Sequence, residues 1–334
     1  MVPGDAQTLE QEVFSSFFGK SEAIQAVLGQ VKKVSTTDFT VILEGETGTG
    51  KEVMAQTIHR LSKRHKEAFV ALDCGAIPEA LTESELFGYE KGAFTGADRC
   101  KPGHFEMAHK GTLFLDEVNN LSLGVQAKLL RAIENQKVLR LGASQASEAN
   151  ARIIVATVEP LAQIIKAGSF RRDLYHRLNE FVIKLPPLRQ RREDIIHLAE
   201  IFIEQTNAEL DKQIQGLSTE TMAELLAYSW PGNVRELRNW IRRAVLLAEN
   251  MIEPWHLFPF SLSGAGGSTR NPSHLDESGE EVSLSETVRI ATEQLERRII
   301  ARVLNSTNGN KMKASRILKV DYKTLYRKLK KYGL

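Results

Sequence analysis

Thr40-Val41-Ile42-Leu43-Glu44-Gly45-Glu46-Thr47-Gly48-Thr49-Gly50-Lys51-Glu52 decides how the first half of the chain is read. A short apolar run ends in a glycine-rich turn, and Val53, Met54, Ile58 and Leu61 follow at helical spacing. In a strand–turn–helix of this kind, backbone N–H groups converge on phosphate oxygens and the helix N-terminus adds partial positive charge. The GxxxxGK spacing assigns Lys51 to the β- and γ-phosphates of a nucleotide. Glu52 stands where a Ser or Thr would offer Mg2+ a hydroxyl, so that ligand is missing.

Further strands are predicted at Phe69-Val70-Ala71-Leu72, Thr112-Leu113-Phe114-Leu115 and Arg152-Ile153-Ile154-Val155-Ala156. Their alternation with helical stretches predicts an α/β fold, a parallel sheet covered by helices. The strand at 112–115 runs into Asp116-Glu117, which suits a metal-holding Asp and a water-polarising Glu. The alternative is an acidic turn in solvent; the phosphate loop upstream favours the chemical reading. From about Arg192 the strand signal stops, and helices are predicted at 195–210, 218–228 and, after the break Trp230-Pro231-Gly232, at 233–249.

The organisation expected is an N-terminal segment 1–12, an α/β part 13–190, a small helical part 191–260, a linker 261–283 rich in Gly, Ser and charge, and a terminal domain 284–334. In the last, Leu284, Val288, Ala291, Leu295, Ile299 and Val303 form a helical stripe that predicts a dimer contact, with packing inside one chain as the alternative. Two short helices, 311–318 and 322–331, follow it. Net charge is only +2 for 334 residues, yet from Asn308 onward nine Lys and Arg face the single acid Asp321, which points to a polyanion partner. Ala314, Ile317 and Leu318 are expected to pack on Leu325 and Leu329, leaving Tyr322, Lys323, Thr324, Arg327 and Lys328 for DNA.

Gly92-Ala93-Phe94-Thr95-Gly96-Ala97 lies between the phosphate loop and the acidic strand end. Its glycines allow a sharp turn that leaves Phe94 and Thr95 at a tip; a surface turn whose Phe folds back onto the body is the alternative, favoured by spacing alone but not once the flanking motifs are read. The stretch Met1–Glu12 lacks the regions of a signal peptide, and no apolar run reaches the ~18 residues of a membrane helix, so no membrane association is expected. Cys74 and Cys100 form no CxxC pair or metal cluster, which fits a reducing cytoplasm.

With these motifs in place, the chain from about Phe14 to Leu334 resembles the bacterial enhancer-binding proteins, NtrC-like AAA+ activators of RNA polymerase carrying sigma-54. GETGTGKE at 45–52, SELFGYEKGAFTGA at 84–97, GTLFLDE at 111–117, FRRDLYHRLN at 170–179, LPPLRQRREDI at 185–195 and WPGNVRELRN at 230–239 carry the resemblance. It implies an AAA+ domain with a helical lid and a Fis-type helix-turn-helix, an oligomeric ring (dimer to hexamer), ATP and Mg2+ as ligands, and sigma-54 polymerase and enhancer DNA as partners. Glu52 belongs to that phosphate loop. Gly92–Ala97 resembles the sigma-54 contact, and Glu117 the catalytic Glu. Arg171 and Arg177 resemble arginines that reach a neighbouring subunit's ATP; ion pairs with Asp173 and Glu180 are the alternative. Arg235 resembles the lid arginine that senses nucleotide in its own subunit.

Two positions depart from the pattern. An Asn commonly paired with the catalytic Glu is replaced by Asp73, and an Asn that senses γ-phosphate by Val158, leaving Thr157 for that role. About a dozen residues precede the ATPase region, which leaves open control by a separate protein or a truncated chain. A nucleotide-binding regulator of ordinary promoters and an AAA+ unfoldase are the competing readings. The departures keep the former open, and the helix-turn-helix disfavours the latter.

Overall fold

The computed structural model describes residues 18–257 and 310–332, together with Glu296, Ile300, Val303, Leu304 and Thr307. The expected N-terminal segment and linker, and most of the 284–303 stripe, lie outside the described residues.

Five strands form one parallel sheet: β1 (Val41–Glu44), β2 (Phe69–Asp73), β3 (Thr112–Asp116), β4 (Arg152–Thr157) and β5 (Phe181–Lys184). Their spatial order is β2-β3-β4-β1-β5. Both faces are covered, as a parallel sheet requires. Leu113, Leu115, Ile153 and Val155 face one core. Val41, Leu43, Phe114, Ile154 and Ala156 face the other, with α1 (Glu22–Ser35) and α2 (Lys51–Arg60) packed there. The alternation of side chains along each strand divides one apolar run between two cores. Arg152 is buried, and its guanidinium donates to the carbonyls of Val34, Ser35 and Phe39, so the charged side chain closes the C-terminal end of α1.

Three longer helices build the lid among the described residues, α6 (Glu193–Leu210), α7 (Thr219–Ala227) and α8 (Asn233–Leu247), followed by a short helical turn Pro254–Leu257; α3 (Glu79–Phe87), α4 (Leu123–Asn135) and α5 (Arg172–Leu178) belong to the α/β part. Trp230 is fully buried among Leu225, Leu237 and Ile241, and its Nε1 donates to the Leu225 carbonyl at 2.9 Å. The break Trp230-Pro231-Gly232 therefore also anchors the lid core.

The C-terminal unit is separate by its contacts. Asn310 caps α9 (Lys311–Ile317), Lys319 turns the chain at φ 50°, and Asp321 receives the Lys323 N–H at the start of α10 (Tyr322–Tyr332). Ala314, Leu325, Leu329 and Ile300 form its core, with Leu318 against it. Ile317 corrects the expected packing: it is 55% exposed. One residue turns a helix by about 100°, so with Ala314 and Leu318 inward, Ile317 is carried toward the rim.

Candidate nucleotide site, contact loop and DNA-facing helix

The phosphate loop, Asp73, Asp116 and Thr157 all lie at the C-terminal ends of strands, the edge where open α/β sheets bind ligands. Register places Asp73 directly beside Asp116. A cleft of about 370 Å³ is lined by Thr47 to Val53, Asp73, Asp116 and Glu117 on one side and by Val234, Arg235 and Arg238 of α8 on the other.

Gly48 and Gly50 hold left-handed backbone at φ 79° and 102°. A Cβ on Gly48 would meet the Gly232 carbonyl at 2.3 Å, so glycine there lets the lid close on the loop. Lys51 is buried, and its Nζ donates to the carbonyls of Gly45 at 2.8 Å and Glu46 at 3.3 Å. Burial lowers its pKa, while Asp116 and Glu117 oppose that shift. Cys74, beneath the carboxylates, is pushed up to about 12 by burial and then by Asp73, Asp116 and Glu117, so its thiol stays protonated. This negative field suits a cation. Among the described residues no three His, Cys, Asp or Glu could hold a metal by themselves. Mg2+ fits here as a partner of nucleotide phosphates, because it binds through one or two carboxylates plus phosphate oxygens.

The lid helix begins on the phosphate loop. Gly48 O accepts the N–H groups of Val234 (3.0 Å) and Arg235 (3.3 Å), two donors that a helix start leaves free. Asn233, fully buried at φ 52°, donates to Thr47 O at 3.0 Å and Glu46 Oε2 at 3.2 Å and accepts from Leu188 N at 2.8 Å. Arg189 grips Glu46 with two bonds of 2.6 and 2.7 Å. That grip, with help from Asn233, outweighs desolvation and holds the Glu46 carboxyl down to about 2. Arg191, buried, donates to Thr49 O at 3.1 Å. Sequence reasoning matched the strings containing Asn233, Arg189 and Arg191 but gave these residues no role. An Asn straight after Pro-Gly at a helix start was the available signal, since Asn tolerates positive φ.

Arg171 and Arg177 do not line this cleft. Arg171 forms a two-bond pair with Asp173 (2.6 and 3.0 Å), and Arg177 pairs with Glu180 at 2.8 Å. Both are partly exposed, at 40% and 38% of the side chain. Arg235 does line it, whereas the neighbouring Glu236 bonds Gly232 N and the Tyr228 hydroxyl.

Gly92 and Gly96 take φ 82° and 100°, and Gly92 N bonds Ala97 O at 2.9 Å, closing the loop neck. Thr95 is exposed. The Phe94 ring is 41% exposed and meets Tyr89 edge-on at 5.0 Å. The base is tied down where Glu90 N meets Leu141 O and Arg140 bridges Glu90 and Glu106. The loop thus projects an exposed tip from a base that is held by hydrogen bonds and ion pairs.

In the C-terminal unit Tyr322, Lys323 and Arg327 are exposed and Thr324 half-exposed. Tyr326, 54% exposed and stacked on Tyr322 at 6.4 Å, shares their helix and was not foreseen. Lys328 is committed otherwise: its ammonium pairs with Glu296, which also accepts from the Tyr332 hydroxyl.

A phosphate loop, an acidic strand end and a lid arginine around one cleft define an AAA+ nucleotide-binding module, here followed by a helix-turn-helix. Residues 17–184 match the Sigma-54 interaction domain, 189–274 the AAA+ ATPase lid domain, and 291–332 the bacterial regulatory protein, Fis family. The chain is 42% identical over 311 residues to the transcriptional regulatory protein ZraR of Klebsiella oxytoca, covering 93% of this chain and 68% of that one. It is 40% identical over 341 residues to the anaerobic nitric oxide reductase transcription regulator NorR of Citrobacter koseri, covering 100% and 66%. The crystal structure of NtrX from Brucella abortus in complex with ATP superposes with a TM-score of 0.70 at 30% identity, covering 99% of this chain and 73% of that one. The chain belongs to the NtrC-like family of sigma-54-dependent transcriptional activators.

Proposed function

We propose that this chain hydrolyses ATP at the interfaces of a homo-oligomeric ring and uses the cycle to remodel the closed sigma-54 polymerase–promoter complex, while its C-terminal unit holds enhancer DNA. One observation carries the reading. A single cleft gathers Lys51, Asp116, Glu117 and Arg235, and it leaves Arg171 and Arg177 outside, available to a neighbour's cleft.

Lys51 would exchange the Gly45 and Glu46 carbonyls for phosphate oxygens. Asp116 would hold Mg2+, which supplies charge neutralisation at the β- and γ-phosphates. Glu117 would accept a proton from the attacking water. Arg171 and Arg177 would leave Asp173 and Glu180 to stabilise charge on the neighbour's transferred phosphoryl, and Arg235 would report occupancy to α8. The Gly92–Ala97 loop is the sigma-54 contact, with Phe94 and Thr95 at its tip. Tyr322, Lys323, Thr324 and Arg327 serve DNA. Lys328, also expected there, would have to leave Glu296 to do so.

The cytoplasm is the compartment for this work; among the described residues no helix is long and apolar enough to cross a membrane. Replacing Lys51 by Ala tests the site: ATP affinity should fall at least tenfold, since the residue is the loop's phosphate cation. Unchanged affinity would remove the phosphate-loop reading.

A further inference from the structure

We propose that Asn119 and Asn120 form a side-chain relay that positions the Glu117 carboxylate and connects it to Thr157. The proposal rests on Glu117 being the catalytic base.

Glu117 itself has left-handed backbone, φ 51° and ψ 46°, a conformation that costs a non-glycine residue free energy and persists where surroundings impose it. A single 3-10 turn, Val118–Asn120, then brings Asn120 back over it. The Asn120 amide donates to Glu117 Oε2 at 2.9 Å. The Asn119 amide donates to Asn120 Oδ1 at 3.0 Å. Thr157 Oγ1, at the end of the central strand β4, lies 3.2 Å from Asn119 Oδ1 and 2.7 Å from the Glu159 carbonyl. One hydroxyl proton serves one of these acceptors at a time, so Thr157 has two states, of which one completes the relay.

The place of the carboxylate is built from the other side too. A Cβ on Gly75 would stand 2.2 Å from Glu117 Oε2 and 2.9 Å from Asn120 Nδ2, so only glycine leaves room for this bond. Asp73 shapes that turn: its Oδ1 accepts the N–H groups of Gly75 and Ala76 at 2.9 and 3.2 Å. A carboxylate cannot donate to Glu117, and the amide comes from Asn120 instead. With Oε2 held by Asn120, Oε1 remains to accept the proton of the attacking water. Asn120 is thus a positioning residue for Glu117, and Asn119 relays the state of Thr157.

The test is steady-state ATP turnover of the full chain, with kcat, KM and thermal stability measured together. Asn120→Asp keeps the shape and removes the donor; Gly75→Ala keeps the donor and fills the place, at a backbone φ that alanine adopts. Both should lower kcat about tenfold or more with KM and Tm unchanged, because a misplaced base affects the chemical step alone. Asn119→Ala should lower kcat less, and not at all in an Asn120→Ala background. Unchanged or raised kcat in Asn120→Asp and Gly75→Ala, beside an inactive Glu117→Gln, overturns the relay and leaves the base assignment standing. Full turnover in Glu117→Gln overturns the base assignment, and the relay with it. A fall in kcat matched by a fall in Tm assigns Asn120 a structural part and also overturns the proposal.

Discussion

Glu46 ties the phosphate loop to Arg189 and to Asn233 at the start of α8. Its carboxyl is depressed from 4.5 to about 2 in the folded chain, chiefly by Arg189. The stabilisation is therefore fully present above about pH 4.5 and is lost as pH falls through about 2. Both side chains are about two-fifths exposed, so solvent screening keeps the contribution modest. Thermal melts of the wild type and Glu46→Gln should differ at pH 7 and converge between pH 4.5 and 2. A gap that persists at the acid end would contradict the pairing. Phosphate chemistry demands particular residues at particular spacing, so Lys51, Asp116 and Glu117 were legible in the sequence. Asn233 and Asn120 were not. Their bonds depend on a left-handed residue at 233 and at 117; an Asn after Pro-Gly hints at the first, and a Glu at a strand end gives no hint of the second.

At the scale of elements, the strands and lid helices that could be read from apolar periodicity match observed ones to within a residue or two. The edge strand Phe181–Lys184 was missed because four residues, with only Ile183 buried and Lys184 exposed, carry no distinct period. The 3-10 turn Val118–Asn120 was missed for its length. Helix α8 joins these levels, since its first turn is bonded to Gly48 and its apolar face closes the lid core. Asn233→Ala removes the bonds that one buried side chain makes to Thr47, Glu46 and Leu188 and leaves buried groups unpaired, at a cost of roughly 2–4 kcal/mol. Urea unfolding should show that loss, and nucleotide affinity should fall with it. A stability change near zero would mean that the lid does not depend on this contact. In the C-terminal unit, Leu325→Ala empties the small core it shares with Ala314 and Leu329 and should cost about 2–4 kcal/mol. DNA affinity should drop while ATP turnover stays intact.

For the whole molecule, the arginines decide whether one chain suffices. Arg171 and Arg177 lie outside their own cleft, and under the proposed function chains meet so that these arginines complete a neighbour's site. Lys51→Ala and Arg171→Ala should each be nearly inactive, the latter by about a thousandfold if it is the transition-state arginine. Mixed together, they should regain part of the turnover at interfaces that pair an intact loop with an intact arginine. No recovery on mixing would place Arg171 in the service of its own chain, or of Asp173 alone.

In the proposed cycle, ATP turnover drives the Gly92–Ala97 loop against sigma-54 polymerase. Open-complex formation on a sigma-54 promoter, measured with ATP for the wild type and Thr95→Ala alongside hydrolysis, tests it most directly. The wild type should open the promoter, and Thr95→Ala should hydrolyse ATP at a largely unchanged rate without opening it. A wild-type chain that binds DNA and hydrolyses ATP but opens no promoter, or a Thr95→Ala chain that opens it normally, would contradict the claim.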